Sequence, residues 1–210
     1  MKSNEFVIAV ESPMVGAGKT TLCDNLMKNC KDITGYLCEP VNLGLMPELN
    51  EIKSKKAFLF QMDILQRRMD AQVNLKWYMN SKFILSDRTV YGDLVFADIM
   101  NEEGKISNKD YKRYKKFFDV VENFSVKPSL VIQLDVSVNA ALRNIKKRGR
   151  EFEQSIDGHD LERLKYGYKK LVWPKIDKLH VPVIRFNWDE PQTENAIKEV
   201  QYWIKRRVNG

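Results

Sequence analysis

The 210-residue chain has few of the residues that build disulfide frameworks or histidine-rich metal sites. It contains three cysteines, an odd number with no paired C-x-x-C spacing, and two histidines, His159 and His180. This pattern excludes a disulfide scaffold and a zinc ribbon as sources of stability. The cysteines therefore indicate thiols kept in a reducing compartment, and we expect a cytoplasmic protein.

Long apolar runs and linker-like segments are also missing. Near the N-terminus the longest apolar run is Phe6 to Val10, which is too short for a signal-peptide core or a membrane span. No Gly/Ser/Pro-rich tract, low-complexity segment or internal repeat interrupts the sequence. With 43% hydrophobic and 30% charged residues, the composition is that of a globular domain. We therefore predict one domain over residues 1–210, without a membrane partner.

The charge balance is basic, with a formal net charge of +7. Such an excess suits nucleic acid, a nucleotide or another anionic ligand. A basic pocket for one small nucleotide explains it as well as a nucleic-acid surface does. The net charge therefore permits a nucleic-acid partner without favouring one.

Short β-branched runs alternate with longer segments of helical periodicity. In one such segment Phe58, Met62, Leu65 and Met69 fall at i, i+4, i+7 and i+11. Alternating strands and helices predict right-handed crossovers and a largely parallel sheet, with ligands beyond the carboxyl ends of the strands. The predicted strands are Phe6–Val10, Thr34–Cys38, Phe83–Ser86, Leu130–Leu134 and Val181–Phe186.

The first predicted strand leads into a glycine-containing turn, and Gly18-Lys19-Thr20 then opens a predicted helix. This order is typical of a phosphate-binding loop, in which backbone N–H groups and the helix dipole surround the phosphates. Lys19 would reach the β- and γ-phosphates, and the Thr20 hydroxyl would bind Mg²⁺. The predicted nucleotide-contacting residues are Gly16, Ala17, Gly18, Lys19, Thr20 and Thr21.

The loop departs from the pattern G-x-x-x-x-G-K-[ST] at its first glycine, where this chain has Pro13. Proline offers no N–H, so one phosphate donor is lost. Alternatively, Ser12 takes the place of the first glycine and one residue is inserted. In either case the residues from Gly16 onwards keep the phosphate contacts.

Charged residues follow the other predicted strands. Glu39 comes after the second strand, and Asp87-Arg88 after the third. Phosphoryl transfer needs a held metal, an oriented nucleophile and neutralised charge. Asp87 would hold Mg²⁺, Glu39 would accept a proton from the attacking hydroxyl, and Arg88 would position that hydroxyl. Each residue has a plainer interpretation too: a surface strand end for Glu39, and a local ion pair for Asp87-Arg88.

A basic segment follows the fourth strand and its helix. Arg148 and Arg150 lie within a predicted lid over residues 144–156, where they would close over the triphosphate. A solvated helix end is the alternative interpretation of these arginines.

A further set suits the hydrogen-bonding edge of a nucleobase. Gln61 and Arg68 are seven residues apart and so share one helix face, and Asp93 adds a carboxylate. An ordinary polar helix face would explain Gln61 and Arg68 equally well in the absence of other nucleoside signals.

These motifs, taken in order, resemble the deoxynucleoside kinase family of deoxycytidine, deoxyguanosine and deoxyadenosine kinases. The resemblance covers most of the chain, and its strength lies in five motifs at compatible spacings. They are Gly16 to Thr21, Glu39-Pro40-Val41, Phe60-Gln61 with Arg68, Asp87 to Asp93, and Arg148 to Glu151 with Glu153-Gln154 and Ile156.

The resemblance implies a three-layer P-loop kinase fold with a five-stranded parallel sheet and a short arginine-bearing lid, usually in a homodimer. It implies transfer of the ATP γ-phosphate to the 5′-hydroxyl of a deoxynucleoside. Glu39 would be the general base assisted by Arg88, and Gln61, Arg68 and Asp93 would contact the base. The arginine–aspartate pair accompanies adenine, guanine or cytosine substrates in this family, so thymidine is disfavoured.

Two family positions that bind the sugar 3′-hydroxyl differ in this chain. No tyrosine occurs between Glu39 and Tyr78, and the family's partner glutamate falls at His159 or Asp160, which makes His159 a candidate substrate contact. A nucleoside monophosphate, a modified nucleoside or a nucleotide within DNA therefore remain alternative acceptors. A non-catalytic nucleotide- or nucleic-acid-binding regulator is the third hypothesis, supported by the basic stretches 112–116 and 205–207.

Overall fold

The computed structural model describes residues 5–38, 54–78 and 82–209. Five strands and eight helices form these parts of the chain. The strands are β1 (Phe6–Glu11), β2 (Gly35–Leu37), β3 (Phe83–Asp87), β4 (Leu130–Asp135) and β5 (Val183–Asn187). The helices are α1 (Lys19–Asn29), α2 (Ser54–Tyr78), α3 (Tyr91–Glu102), α4 (Asn108–Phe124), α5 (Val138–Arg148), α6 (Gly158–Gly167), α7 (Trp173–Asp177) and α8 (Thr193–Asn209).

The strands form one parallel sheet in the order β2-β3-β1-β4-β5. All six residues of the central strand β1 are buried, as expected for a parallel strand with helices over both faces. Val10 pairs with Asp87 of β3 on one side and Ile132 of β4 on the other. The predicted five-stranded parallel fold is therefore confirmed, and the carboxyl ends of β1 and β3 lie side by side.

Strand limits differ from the prediction by one or two residues. β1 and β3 each include one more residue than predicted, because the pairing continues to the polar edge of the sheet. Asp87 of β3 pairs with Val10, and Glu11 of β1 pairs with Gln133 of β4. β5 begins at Val183 and not Val181, since Pro182 has no N–H to donate. Its carbonyl still accepts a hydrogen bond from Val131 N at 3.0 Å.

The helices bury the apolar faces that their periodicity predicts. In α2, Leu65 is fully buried, and Phe58, Met62 and Met69 pack partly buried against the same core. In α4 the buried residues are Tyr114, Phe118 and Val121. None of the helices described is both long and apolar enough to cross a bilayer.

Local sequence signals set the ends of the helices around the predicted lid. The Ser137 hydroxyl accepts from Ala140 N at 3.2 Å and begins α5. Gly149, with φ 68°, ends this helix in the left-handed conformation that glycine favours. Asp157 and Asp160 form a capping box that begins α6. The segment between the two helices, which carries Arg150, is thereby held at both ends.

Candidate active site

The turn between β1 and α1 has the backbone of a phosphate-binding loop. Gly16 and Gly18 have φ values of 75° and 81°, a backbone conformation that residues with a Cβ rarely adopt. A Cβ on Gly16 would also lie 2.9 Å from the Ala141 carbonyl oxygen and 2.9 Å from Cγ1 of Ile145. The loop therefore needs glycine at position 16 for its conformation and for its close approach to α5.

The irregular start of the loop is stabilised by its own polar groups. The Ser12 hydroxyl accepts from Met14 N at 3.3 Å, so the chain turns tightly around Pro13. Nζ of Lys19 donates to the Met14 carbonyl at 3.3 Å. The side chain of Lys19 is buried at the start of α1, where the positive end of the helix dipole also lies.

The two predicted metal ligands meet at the edge of the sheet. The Thr20 hydroxyl donates to Oδ2 of Asp87 at 2.6 Å. Thr20 stands in the first turn of α1, and Asp87 ends the neighbouring strand β3. A hydroxyl and a carboxylate are the hard oxygen ligands that suit Mg²⁺ near a nucleotide phosphate, so this donor set fits the ion.

Arg88 leaves β3 with a strained backbone. Its φ of 71° is uncommon for a residue other than glycine. Arg88 N donates to the Val10 carbonyl at 3.0 Å, and its own carbonyl accepts from the Ser86 hydroxyl at 2.8 Å. The guanidinium carbon lies 5.4 Å and 5.6 Å from the ring centroids of Phe96 and Tyr168. The side chain is therefore bounded by aromatic rings on two sides.

Arg68 and Asp93 form a buried bidentate ion pair. Nε of Arg68 donates to Oδ2 of Asp93, and an Nη2 donates to Oδ1 at 2.9 Å. Both side chains are 6% exposed. The pair joins α2 to the first turn of α3. Two residues that are 25 positions apart in sequence therefore form one polar group at the cavity wall.

Gln61 lies on the same helix as Arg68 and is almost completely buried. Its Nε2 is 3.5 Å from Sδ of Met100, and its Oε1 has no hydrogen-bond partner among residues 5–38, 54–78 and 82–209. A buried amide oxygen without a partner costs free energy, and a bound ligand that donates to it would remove this cost.

Arg148 and Arg150 converge on Glu153, whose role the sequence reasoning missed. Glu153 is 4% exposed, and its Oε2 accepts from Nε of Arg148 at 2.9 Å and from Nη2 of the same residue. Nη1 of Arg150 is 3.5 Å from the other carboxylate oxygen. Arg148 and Arg150, the arginines of the predicted lid, therefore both contact the carboxylate of Glu153. The sequence signal that could have indicated this pairing is the two glutamates, Glu151 and Glu153, that follow Arg150.

Helix α5 is also connected to the phosphate loop by a hydrogen bond. Nδ2 of Asn144 donates to the Gly16 carbonyl at 2.9 Å. Asn144 therefore connects α5 to the loop by a neutral hydrogen bond.

These groups surround one cavity of about 420 Å³. Its wall includes the phosphate loop from Gly16 to Thr21, the lid arginines and the apolar side chains of Phe60, Phe96 and Met100. The predicted residues that line it are Gly16, Ala17, Gly18, Lys19, Thr20, Thr21, Gln61, Arg68, Arg88, Asp93, Arg148 and Arg150. Asp87 does not itself line the cavity, but it accepts a hydrogen bond from Thr20, which does.

Two predicted residues are not placed in this cavity. His159 is exposed in the first turn of α6 and lines a separate groove with Asp98 and Tyr166, whereas its neighbour Asp160 lines the cavity. Glu39, the predicted general base, lies outside the described residues.

A glycine loop before a helix, a Thr–Asp pair beside it and convergent arginines over a nucleoside-sized cavity define a nucleotide-binding kinase of the P-loop class. A family model described as deoxynucleoside kinase matches residues 8–209. The chain therefore belongs to the deoxynucleoside kinase family, as its motifs predicted, and is a phosphotransferase by membership.

Known relatives agree with this assignment. The chain is 34% identical over 211 residues to a deoxyadenosine kinase of Dictyostelium discoideum, covering 99% of this chain and 84% of that protein. It is 32% identical over 157 residues to a deoxyadenosine kinase of Lactobacillus acidophilus, covering 70% and 69%. A solved deoxyadenosine kinase from M. mycoides with dCMP and a flexible dCDP bound is 25% identical, with a TM-score of 0.78, covering 96% of this chain and 100% of that one.

Proposed function

We propose that this protein transfers the γ-phosphate of ATP, as its Mg²⁺ complex, to the 5′-hydroxyl of deoxyadenosine, and less efficiently of deoxycytidine, in nucleotide salvage. The observation that carries the proposal is the buried Arg68–Asp93 pair on the wall of a cavity that also contains the phosphate loop. A homodimer and a cytoplasmic location remain predictions from the sequence.

The Arg68–Asp93 pair supports a base with an amino group beside an unprotonated ring nitrogen. The carboxylate accepts from the amino group while the guanidinium donates to the ring nitrogen. Adenine and cytosine carry this arrangement, whereas thymine presents a carbonyl beside an N–H and would meet donor with donor. The deoxyadenosine kinases among the relatives are consistent with this preference.

The phosphate end of the cavity supports the donor side of the reaction. Lys19 and the backbone N–H groups after Gly16 would hold the β- and γ-phosphates. Thr20 and Asp87 would hold Mg²⁺, which when bound neutralises charge on the phosphates. Arg148 and Arg150 would exchange part of their contact with Glu153 for phosphate oxygens as the lid closes.

At the acceptor end, the roles fall to Arg88 and Glu39. Arg88 lines the same cavity as Arg68, Asp93 and the phosphate loop, so its guanidinium would orient the 5′-hydroxyl for in-line attack. Glu39, as predicted from its sequence motif, would take the proton from that hydroxyl. The chain would thus supply orientation and proton transfer, while the γ-phosphoryl group passes from ATP to the 5′-hydroxyl oxygen and ADP stays bound at the phosphate loop.

A free nucleoside is favoured over a monophosphate as acceptor. Glu103, Asp160 and Glu153 all line the cavity, so the phosphate group of a monophosphate acceptor would lie near carboxylates. Like charges at short distance in a partly enclosed site are unfavourable. Apart from the basic side chains assigned above, the cavity wall described here carries Lys105 and Arg163, and both are ion-paired with Glu103.

The test is transfer of labelled γ-phosphate from MgATP to a panel of the four deoxynucleosides, their 5′-monophosphates and a short DNA oligonucleotide. Label on deoxyadenosine, with deoxycytidine second and thymidine last, would support the proposal. The double variant Arg68→Met/Asp93→Ala should narrow the gap between deoxyadenosine and thymidine. Label confined to monophosphates or DNA, or an unchanged base preference in the double variant, would contradict it.

A further inference from the structure

A buried hydroxyl lies between Arg88 and a carboxylate that the proposed reaction does not use. The carboxylate is that of Glu11, the fully buried last residue of β1. The Tyr168 hydroxyl donates to Oε2 of Glu11 at 3.2 Å and accepts from Nη1 of Arg88. One hydroxyl therefore connects three segments that are far apart in sequence: the end of β1, the end of β3 and the helical turn after α6.

The second oxygen of the same carboxylate holds the residue after Arg88. Oε1 of Glu11 accepts from Thr89 N at 2.6 Å and from the Thr89 hydroxyl at 2.5 Å. Hydrogen bonds to an ionised acceptor are short and stronger than neutral ones. Glu11 thus fixes the backbone on the C-terminal side of Arg88 and, through Tyr168, the tip of its side chain.

This arrangement accounts for how Arg88 keeps its left-handed backbone. A non-glycine residue with φ near 71° costs on the order of 1–3 kcal/mol and persists only where its surroundings determine it. Burial raises the pKa of Glu11, and the positive charge of Arg88 acts to lower it. The carboxylate and the guanidinium therefore stabilise each other's charged form inside the core.

Arg88 and Tyr168 pack so closely against Gly92 that no side chain fits at this position. A Cβ on Gly92 would lie 2.7 Å from Cδ of Arg88 and 2.7 Å from the Tyr168 hydroxyl oxygen. Tyr168 itself opens a π-helical turn, Tyr168–Val172, which interrupts the regular helix between α6 and α7. Such turns are rare and frequently occur at functional sites. The helix is therefore irregular at the residue that carries this hydroxyl.

We propose that Glu11 and Tyr168 are positioning residues for Arg88, which hold its guanidinium in the orientation needed at the acceptor hydroxyl. Neither residue lines the cavity, so neither touches the substrate. The inference rests on the proposed function for the role of Arg88. Its geometry, however, stands on contacts that exist whatever the acceptor is.

The first test compares Tyr168→Phe with the matched control Tyr166→Phe, whose side chain is 67% exposed. Tyr168→Phe keeps the ring beside Arg88 and removes only the hydroxyl. We expect kcat with deoxyadenosine to fall about 10- to 100-fold, because a misplacement near 1 Å has effects of this size. The KM for ATP should stay within about twofold, and the control should match the wild type.

A second variant guards against simple loss of folding. Glu11→Gln can still accept from Thr89 through its amide oxygen but presents an NH₂ group to Tyr168. We expect a smaller loss of kcat than in Tyr168→Phe, and a cooperative thermal unfolding transition shows that the variant is folded. Because both changes act through one network, the double variant should lose about as much as Tyr168→Phe alone. Independent, multiplying losses would overturn the network.

An activity-independent measurement separates this inference from the proposed function. Side-chain ¹⁵N resonances of Arg88, assigned with Arg88→Lys, should show hindered rotation of the guanidinium in the wild type and averaged signals in Tyr168→Phe. If the wild type phosphorylates nothing in the panel but this difference appears, the proposed function fails and the positioning stands. Identical Arg88 signals in both proteins would overturn the positioning role, whatever the activity.

Discussion

Gly167 and Val95 are in contact so close that no larger residue fits at position 167. A Cβ built on Gly167 would lie 2.4 Å from Cγ1 of Val95, shorter than any ordinary carbon contact. Val95 is fully buried in α3, and Gly167 ends α6 directly before Tyr168. This contact sets how near the helix after the lid approaches the helix that carries Asp93.

Gly167→Ala should therefore destabilise the protein although alanine favours helices. Forcing a methyl group into a packed core typically costs about 1–3 kcal/mol. Adding Val95→Ala should recover part of the loss, because it removes the atom that the new Cβ meets. Denaturant unfolding of the wild type, both single variants and the double variant measures this coupling. Strictly additive losses would contradict the contact.

The ion pair between Arg68 and Asp93 predicts an unequal effect of single and double substitutions. Asp93→Ala leaves a buried guanidinium without its carboxylate, which should lower the free energy of unfolding by about 3–5 kcal/mol. Arg68→Met/Asp93→Ala should be more stable than Asp93→Ala alone, since the remaining charge is gone. Chemical denaturation at neutral pH checks the order. A double variant less stable than Asp93→Ala would be evidence against a desolvated pair.

Arg148 and Lys147 are adjacent in sequence but differ in surroundings, which makes them a matched test of the lid. Arg148 lines the cavity and contacts Glu153, whereas Lys147 is exposed at the end of α5. Arg148→Ala should lower kcat about 10³-fold or more, the range of arginines that neutralise charge in phosphoryl transfer. Lys147→Ala removes the same charge and should leave kcat near wild type. Equal losses would indicate a general charge effect.

Glu39 carries a prediction that its sequence motif alone supports. Glu39→Gln removes the proposed base but keeps the size of the side chain. Turnover should fall by about 10²- to 10⁴-fold, the usual contribution of a general base, while ATP binding measured by calorimetry stays unchanged. A variant that turns over near the wild-type rate would require another proton acceptor.

Tyr91 predicts how stability depends on pH in the alkaline range. Burial, with a contribution from the Glu122 carboxylate, raises the pKa of Tyr91 from 10.0 to about 12. Between these values the unfolded chain releases the phenol proton while the folded chain keeps it. The free energy of unfolding therefore falls as pH rises from about 10 to about 12.

Tyr91→Phe should reduce this alkaline loss, because phenylalanine has no proton to release. Tyr202→Phe, at a side chain that is 54% exposed, is the control and should keep the wild-type slope. Unfolding free energies at half-unit steps of pH measure both. Identical slopes in the three proteins would show that Tyr91 is not the source of the change.

The sequence was sufficient for the parts of the site that follow local rules. Strands ending at Asp87 and a glycine turn before Lys19 each have local signals, and a parallel sheet brings such ends to one edge. Arg68 and Asp93 were grouped from the sequence and are joined in the structure by a buried ion pair, whereas their contact with the base stays a prediction. The predicted limits of β5 were wrong by two residues at its start, where Pro182 delays the pairing, and by one residue at its end, Asn187.

Local patterns were insufficient for groups whose partners are set by tertiary packing. Glu11 directly follows the predicted strand Phe6–Val10, and nothing nearby in sequence indicates that it will meet Thr89 and Tyr168. The π-helical turn has no sequence signature that its neighbours lack. Likewise, His159 was considered for the sugar because of its place in the sequence, whereas the start of α6 directs Asp160 into the cavity wall.

The left-handed backbone of Arg88 has a consequence for how this protein would respond to selection. Glycine or asparagine would occupy that conformation at lower cost, so selection for thermal resistance alone should favour replacing the arginine. Such variants would gain robustness and lose turnover. Position 88 is therefore one at which catalytic activity and thermal stability favour different residues.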